Sequence, residues 1–225
     1  MPRWGMVVDL RNCFGCKSCA VACSEANGMP PGAWRQVHEG EIDEAPSRQR
    51  LCLPISCNHC GDPPCLDVCP TGATHRCPDG VVDIDTERCL GCGYCVVACP
   101  YRARTILDRT SNPEKINNAE ERNEGRDSSE VGVCTKCHFC HPRIEKGLEL
   151  GLTPGIDAEA TPTCVFTCSA RALHFGDLED PGSNVSRLLR ENRTVRLQES
   201  LDTDAAIYYI SPARWTEPAN RKEAG

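Results

Sequence analysis

Large aromatic side chains are scarce in this sequence. Phe, Trp and Tyr make up 5% of its 225 residues, although the total apolar fraction of 40% is ordinary for a globular protein. The chain also carries 17 Pro and 18 Gly, so turns are common while bulky core residues are few. Because aromatic residues usually dominate the energetics of a core, we expect a non-protein group to fill part of the interior.

Long hydrophobic runs, a basic excess and a secretory leader are missing as well. No stretch approaches 18 consecutive apolar residues, so the chain is not expected to span a membrane by itself. The formal net charge is −7, whereas nucleic-acid-binding domains usually carry a basic patch. The first residues, MPRWGMVVDL, show neither a signal-peptide pattern nor twin arginines. Nucleic acid is therefore not an expected partner.

Cysteine, in contrast, is abundant, with 19 copies. Such a content is typical of disulfide scaffolds, but those are mostly small secreted chains, and an odd number leaves at least one thiol unpaired. Structural zinc sites usually combine two Cys-x2-Cys pairs, which gives no reason for four closely spaced cysteines followed by Pro. The spacing favours iron–sulfur clusters.

The cysteines fall into four groups. The three compact groups are Cys13, Cys16, Cys19 and Cys23; Cys57, Cys60, Cys65 and Cys69; and Cys89, Cys92, Cys95 and Cys99. The fourth group is spread out and offers five candidates for four positions by spacing alone: Cys134, Cys137, Cys140, Cys164 and Cys168. Cys52 and Cys77 stand alone. The run C-x2-C-x2-C-x3-C-P is the bacterial ferredoxin signature of a [4Fe–4S] cluster, and its fourth cysteine binds the other cluster of a pair.

The first and third groups share the pattern of a strand, a cysteine loop and a helix. The stretches MVVDLRNC and VVDIDTERC alternate apolar and polar residues, which predicts half-buried strands, and each has Asp four residues before the first cysteine. This repeat predicts an α+β fold of two intertwined ferredoxin-like domains with long loops, built around iron–sulfur clusters. We place the outer domain at 1–50 and 131–200, the inserted domain at 51–109, a polar loop at 110–130 and a C-terminal extension at 201–225.

Four stretches resemble a known family. They are MVVDLRNCFGCKSCAVAC, CNHCGDPPCLDVCPTGA, GVVDIDTERCLGCGYCVVACPYRAR, and KCHFCHPRIEKG together with PTCVFTCSARALHFGDL. They are similar to the four-cluster ferredoxin-type subunits of the dimethyl-sulfoxide-reductase family. The resemblance implies an electron-transfer subunit with four [4Fe–4S] clusters, without catalysis of its own. It also implies a large molybdenum or tungsten bis-pyranopterin catalytic subunit as partner, and a membrane quinone-reactive subunit or soluble carrier as second partner.

The resemblance further implies which thiols bind iron. In the fourth group it selects Cys137 and Cys140, with Arg143 in the expected place, and it leaves Cys52, Cys77 and Cys134 unused. Crossed ligation then gives four quartets: quartet 1 is Cys13, Cys16, Cys19 and Cys168; quartet 2 is Cys57, Cys60, Cys65 and Cys99; quartet 3 is Cys89, Cys92, Cys95 and Cys69; quartet 4 is Cys137, Cys140, Cys164 and Cys23.

Two departures from the family pattern stand out. Cys168 is followed by Ser169 where the family usually has Pro, which predicts a less rigid turn. The insert between Cys140 and Cys164 is long and rich in Gly and Pro, and we interpret it as a loop, either solvated or in contact with a partner.

Several alternatives stay open. His59 and His138 lie inside cysteine loops and either tune a cluster or are simply polar loop residues. The partner is alternatively a hydrogenase or another respiratory complex, and a zinc-stabilised interaction module is a rival of a different class. The unused thiols favour assembly in a reducing cytoplasm. The assembled protein then either stays in the cytoplasm, associates with a membrane through a partner, or is exported in folded form together with the catalytic subunit.

Overall fold

Short helices and strands alternate along the part of the chain that the computed structural model describes, which is residues 1–44, 47–107 and 132–211. The strands are β1 (Trp4–Asp9), β2 (Gln36–Glu44), β3 (Ser47–Ile55), β4 (Thr74–Arg76), β5 (Val82–Ile84), β6 (Thr105–Ile106), β7 (Cys134–Thr135), β8 (Leu173–Asp177), β9 (Thr194–Val195) and β10 (Ile207–Ile210). The α-helices are α1 (Ser18–Asn27), α2 (Pro64–Asp67), α3 (Tyr94–Ala98), α4 (His141–Glu149), α5 (Thr163–Phe166) and α6 (Asn184–Glu191). The predicted polar loop at 110–130 lies outside the described ranges.

The central sheet joins strands that are far apart in sequence. Its order is β8-β1-β10-β9, with β1 parallel to β10 and antiparallel to β8. All six residues of β1 are buried, so the strand predicted as half-buried is covered on both faces. On one face, Val7 and Ile210 pack against Val185 of α6. On the other, Met6 and Val8 join the main hydrophobic cluster, which also contains buried cysteines.

Three two-stranded sheets complete the described strands. β2 and β3 form an antiparallel hairpin, and β4 pairs with β5 beside the second cysteine group. β6 pairs with β7, so that Thr105 lies opposite Thr135. This last pairing connects the region of the third cysteine group to the residues just before Cys137.

The predicted repeat is present in the fold. β1 leads through a cysteine loop into α1, and β5 leads through a second loop into α3. The two aspartates act alike, because Asp9 Oδ1 accepts from the backbone N–H of Arg11 at 3.0 Å and Asp85 Oδ1 accepts from that of Glu87 at 3.0 Å. Each side chain therefore closes a small turn that aims the chain into its cysteine loop.

The loop prediction for the insert after Cys140 is wrong, because α4 spans most of its first half. Pro142 stands in the first turn, where a proline costs no hydrogen bond. Ile144 is buried, and Gly147 packs so tightly on Ala160 that an added Cβ would lie 2.3 Å from the Ala160 Cβ. Tertiary packing of one face thus outweighs the helix-breaking tendency of this glycine.

The last described strand lies beyond the boundary drawn at residue 200. β10 pairs with β1 through the register Met6↔Ile207 to Asp9↔Ile210, and its residues Ile207 and Tyr209 are fully buried. Residues 207–210, within the segment predicted as a C-terminal extension, therefore belong to the central sheet. Residues 212–225 lie outside the described ranges.

Candidate metal centres

The loops of the first and third groups share one backbone conformation. Gly15 and Gly91, two residues after the first cysteine, have φ of 78° and 65°. Lys17 and Gly93, two residues further, have φ of 62° and 79° and cap α1 and α3. Left-handed residues at these two places curl the chain tightly, so that three cysteines face one space.

The helices then direct the remaining cysteines inward. In α1, Cys19 and Cys23 are both buried and lie on the same face, since they are four residues apart. In α3, Cys95 is buried, and Cys99 follows at the helix end in an extended conformation. The fourth cysteine of each group is thus displaced from the loop that holds the first three.

Two cavities are each lined by four cysteines. One is lined by Cys13, Cys16, Cys19 and Cys168. The other is lined by Cys57, Cys60, Cys65 and Cys99. These are the residues of quartets 1 and 2, and each set combines three cysteines of one group with the last cysteine of another. No three His, Cys, Asp or Glu side chains in residues 1–44, 47–107 and 132–211 converge on a single metal ion; the thiols instead surround a space, as a cubane requires.

Electrostatic contacts link the thiols of quartet 4. The pKa of Cys23 is raised by burial first and then by the neighbouring Cys137, Cys164 and Cys140. Cys23 therefore lies with the fourth group, although its helix starts in the loop of quartet 1.

The members of quartet 3 are related less directly. Cys89 and Cys95 both adjoin Cys134, and Cys69 follows α2, a helix that packs against α3. The Cys69 Sγ accepts from the backbone N–H of Thr74 at 3.4 Å.

Burial raises the pKa of several of these thiols. Desolvation raises the pKa of Cys60 to about 12 and that of Cys19, Cys65 and Cys137 to about 11. Since iron binds thiolates, loading these sites must release protons, and the gain of metal bonds must offset that cost.

The turn after the last cysteine is the same in three groups, despite Ser169. The N–H of Gly72 donates to the carbonyl of Cys69 at 3.2 Å, that of Arg102 to Cys99 at 3.2 Å, and that of Arg171 to Cys168 at 2.9 Å. All three donors have positive φ. The turn after Cys168 therefore has the same shape as the others without proline, and its lower rigidity stays a prediction.

Cys134 does not lie with the other cysteines of its group. Its backbone N–H donates to Cys89 Sγ at 3.4 Å, and its thiol lies against Cys95. The hydrogen bond with Cys134 is the main reason why the pKa of Cys95 falls to about 6. The spacing C-x2-C-x2-C from residue 134 thus fails to mark a common site, because β7 carries Cys134 to the third group.

Burial disfavours the charged form of the two histidines in the cysteine loops. Burial lowers the pKa of His138 to about 4 and that of His59 well below its usual value. The His59 Nδ1 accepts from the backbone N–H of Val82 at 3.1 Å, so its proton resides on Nε2. His59 also stacks on Phe139.

Two buried arginines were not singled out by the sequence. Arg35 is 1% exposed and Arg104 is 4% exposed, and both guanidinium groups lie among cysteines. Nothing in the spacing of the motifs marks them among 25 basic residues. Each retains two side-chain nitrogens without a hydrogen-bond partner among the described residues, Nε and Nη1 in Arg35 and Nε and Nη2 in Arg104. Such donors fit an anionic group with sulfur acceptors.

Comparison with known proteins shows the family to which this chain belongs. A 4Fe-4S dicluster domain matches residues 49–134. The B component of the selenate reductase of Mesobacillus selenatarsenatis is 40% identical over 93% of this chain and 72% of its own length. The B component of the tetrathionate reductase of Salmonella typhimurium is 37% identical over 96% of this chain and 70% of its own length. That of the sulfite dehydrogenase of Allochromatium vinosum is 34% identical over 96% of this chain and 85% of its own length.

The chain belongs to the iron–sulfur beta subunits of the dimethyl-sulfoxide-reductase family. The resemblance noted in the sequence is thereby confirmed. As a beta subunit of this family, the protein is an electron-transfer component of an oxidoreductase complex, carries four [4Fe–4S] clusters and is not the catalytic subunit. In the described ranges, no helix combines the length and apolar character needed to cross a bilayer.

Proposed function

We propose that this protein relays electrons between a molybdenum or tungsten bis-pyranopterin catalytic subunit and a second redox partner, with the quartets in the order 1, 4, 2, 3. Contacts between quartets support this order. Cys19 of quartet 1 is electrostatically coupled to Cys164 of quartet 4. Cys137 of quartet 4 is coupled to Cys57 of quartet 2, and Cys65 of quartet 2 shares a buried cluster with Cys95 of quartet 3.

The sixteen proposed ligands are those of quartets 1 to 4, arranged as two intertwined ferredoxin-like domains. The four-cysteine linings of two cavities support the crossing of ligands between groups. The inserted domain comprises residues 51–109, and the outer domain comprises 1–50 and 131–210, because the sheet includes β10.

Each [4Fe–4S] cluster exchanges one electron, and the residues of this chain set how easily it does so. Burial of Cys23, Cys137 and Cys164 places the middle of the series away from water. The chain contributes spacing, exclusion of solvent and charge.

The exposed cysteines mark the proposed contact sites for partners. Cys16 of quartet 1 and Cys92 of quartet 3 are exposed, at opposite ends of the proposed order. Apolar residues beside them are exposed too, including Phe14 at 60%, Leu90 at 73% and Val97 at 88%. We propose that one end meets the catalytic subunit and the other meets a membrane quinone-reactive subunit or a soluble carrier. Attachment to a membrane would then run through that partner, in the cytoplasm or after joint export.

Elemental analysis of the anaerobically purified complex tests this function. We expect about 16 iron atoms from this chain and about one molybdenum or tungsten per copy. The same iron content without either heavy metal would favour a hydrogenase or another respiratory complex as the partner. Zinc without iron would overturn the proposal.

The same measurement on variants tests the ligand set. Cys140→Ser should lose or convert a cluster, while Cys134→Ser, its matched control, should keep all the iron. The reverse result would refute quartet 4.

A further inference from the structure

Arg35 is buried between the thiols of quartets 1 and 4. Its Nη2 lies 3.5 Å from Cys164 Sγ and 3.3 Å from Met6 Sδ. The thiols that act on its charge are those of Cys164, Cys137, Cys19 and Cys23. Three of them belong to quartet 4 and Cys19 belongs to quartet 1, so one guanidinium group faces both members of the outer pair.

Arg104 occupies the corresponding place between quartets 2 and 3. Its Nη1 donates to Thr74 Oγ1 at 3.1 Å and lies 3.9 Å from Cys134 Sγ. Arg104 lines the cavity that also contains Cys57, Cys65 and Cys99 of quartet 2, and the thiols of Cys95 in quartet 3 and of Cys134 act on its charge as well. Each crossed pair of quartets therefore encloses one buried arginine.

Neither arginine has the counterion that a buried charge normally requires. Among the described residues, no carboxylate forms an ion pair with Arg35 or Arg104, and two nitrogens of each have no acceptor. Buried Lys136 differs, since its Nζ donates to the carbonyls of Val82 and Cys137 and lies 3.9 Å from Asp83. A permanently charged guanidinium with unused donors, set among thiols, needs an anionic acceptor in the same space.

We propose that Arg35 and Arg104 are positioning residues that offset part of the negative charge of the two cluster pairs, one arginine for each pair, by donating their free N–H groups to cluster sulfur. The inference rests on the proposed ligand quartets. A fixed positive charge shared by two clusters stabilises an added electron on either of them, which raises both reduction potentials relative to the other pair.

Redox titration of the holo-complex, monitored by electron paramagnetic resonance, tests this role. Arg35→Gln should lower two of the four midpoint potentials, each by at least a tenfold change in the one-electron equilibrium, or about 59 mV. Arg104→Gln should lower the other two. Arg35→Lys and Arg104→Lys, which keep a charge, should restore most of the shift. Arg190→Gln is the matched control, because Arg190 is exposed, donates to the carbonyl of Pro181 and should leave all four potentials unchanged.

Iron content separates failure of this inference from failure of the function. Full iron with unshifted potentials, or with an equal shift in all four clusters, would refute the role of the arginines and leave the electron-transfer function intact. If Arg35→Gln loses iron, retention of iron in Arg35→Lys would support the need for charge, whereas loss in both variants would contradict it. A wild-type complex without iron would refute the quartets themselves.

Discussion

Replacing Gly91 by Ala should disable quartet 3 through a single close contact. An added Cβ at Gly91 would lie 1.9 Å from the carbonyl oxygen of Gly132, and the two would have to separate to at least 3.0 Å. Gly91 also has φ of 65°, a conformation that costs a residue with a Cβ roughly 1–2 kcal/mol. The loop between Cys89 and Cys92 would move by far more than the roughly 0.2 Å that metal ligation tolerates.

Gly93 provides a matched control in the same loop. Its φ of 79° carries a similar conformational cost, but the nearest atom to an added Cβ is Ile106 Cδ1 at 3.5 Å, an ordinary contact. We expect Gly93→Ala to lower the free energy of unfolding by about 1–2 kcal/mol and to leave the iron content unchanged. Gly91→Ala carries the additional cost of overpacking against backbone, so its free energy of unfolding should fall by about 3 kcal/mol or more in total. We also expect this variant to lose about four iron atoms.

Iron analysis and thermal unfolding of the two variants, prepared side by side under anaerobic conditions, measure the difference. Equal iron and equal stability in both would show that the approach to Gly132 does not fix the loop. That outcome would refute the steric reasoning.

Two further predictions concern the turn before the first cysteine loop and the dependence of the fold on iron. The carboxylate of Asp9 accepts from Arg11 Nε at 2.8 Å and Nη2 at 2.7 Å; burial raises its pKa, but these bonds outweigh that effect and the pKa is lowered. Asp9→Asn should therefore lower the free energy of unfolding, measured with denaturant between pH 6 and 8, by about 1 kcal/mol. The stabilisation by the carboxylate is complete above the pKa of free Asp and is lost only as the pH falls through the lowered pKa of Asp9. Asp85→Asn should cost less, because Asn keeps an oxygen acceptor for the turn and Asp85 accepts only from the backbone N–H groups of Glu87 and Arg88, without a guanidinium partner; an equal cost would contradict the assignment. Removal of iron should leave the chain largely disordered, because six buried cysteines belong to its main hydrophobic cluster; a cooperative transition of the iron-free chain at the temperature of the holo-protein would refute this.

The cysteine loops were predictable because their chemistry is local. Ligand spacing and the aspartate four residues ahead of Cys13 and Cys89 define a strand, a turn and a loop within one short segment, and the structure contains that unit twice. Iron ligation imposes these distances on the backbone, so the sequence pattern and the geometry share one cause.

Features that depend on distant packing could not be read in the same way. Glycine and proline in the insert after Cys140 indicate a loop, but Pro142 stands in the first turn of α4 and Gly147 is needed for close contact with Ala160. Arg35 and Arg104 carry no motif at all, since their importance comes from thiols contributed by separate segments. Long-range neighbours decide these roles.

The pairing of β1 with β10 sets an order for maturation during synthesis. The proposed ligands of quartets 2 and 3 are all present once residue 99 has been translated. Those of quartet 1 await Cys168, and the sheet that supports them awaits residues 207–210. At about 5–20 residues per second, the ribosome needs roughly 5–20 seconds to make this intervening stretch. The inserted domain can therefore receive its metal first. During this time β1 stays unpaired with β10, because β10 has not yet been synthesised.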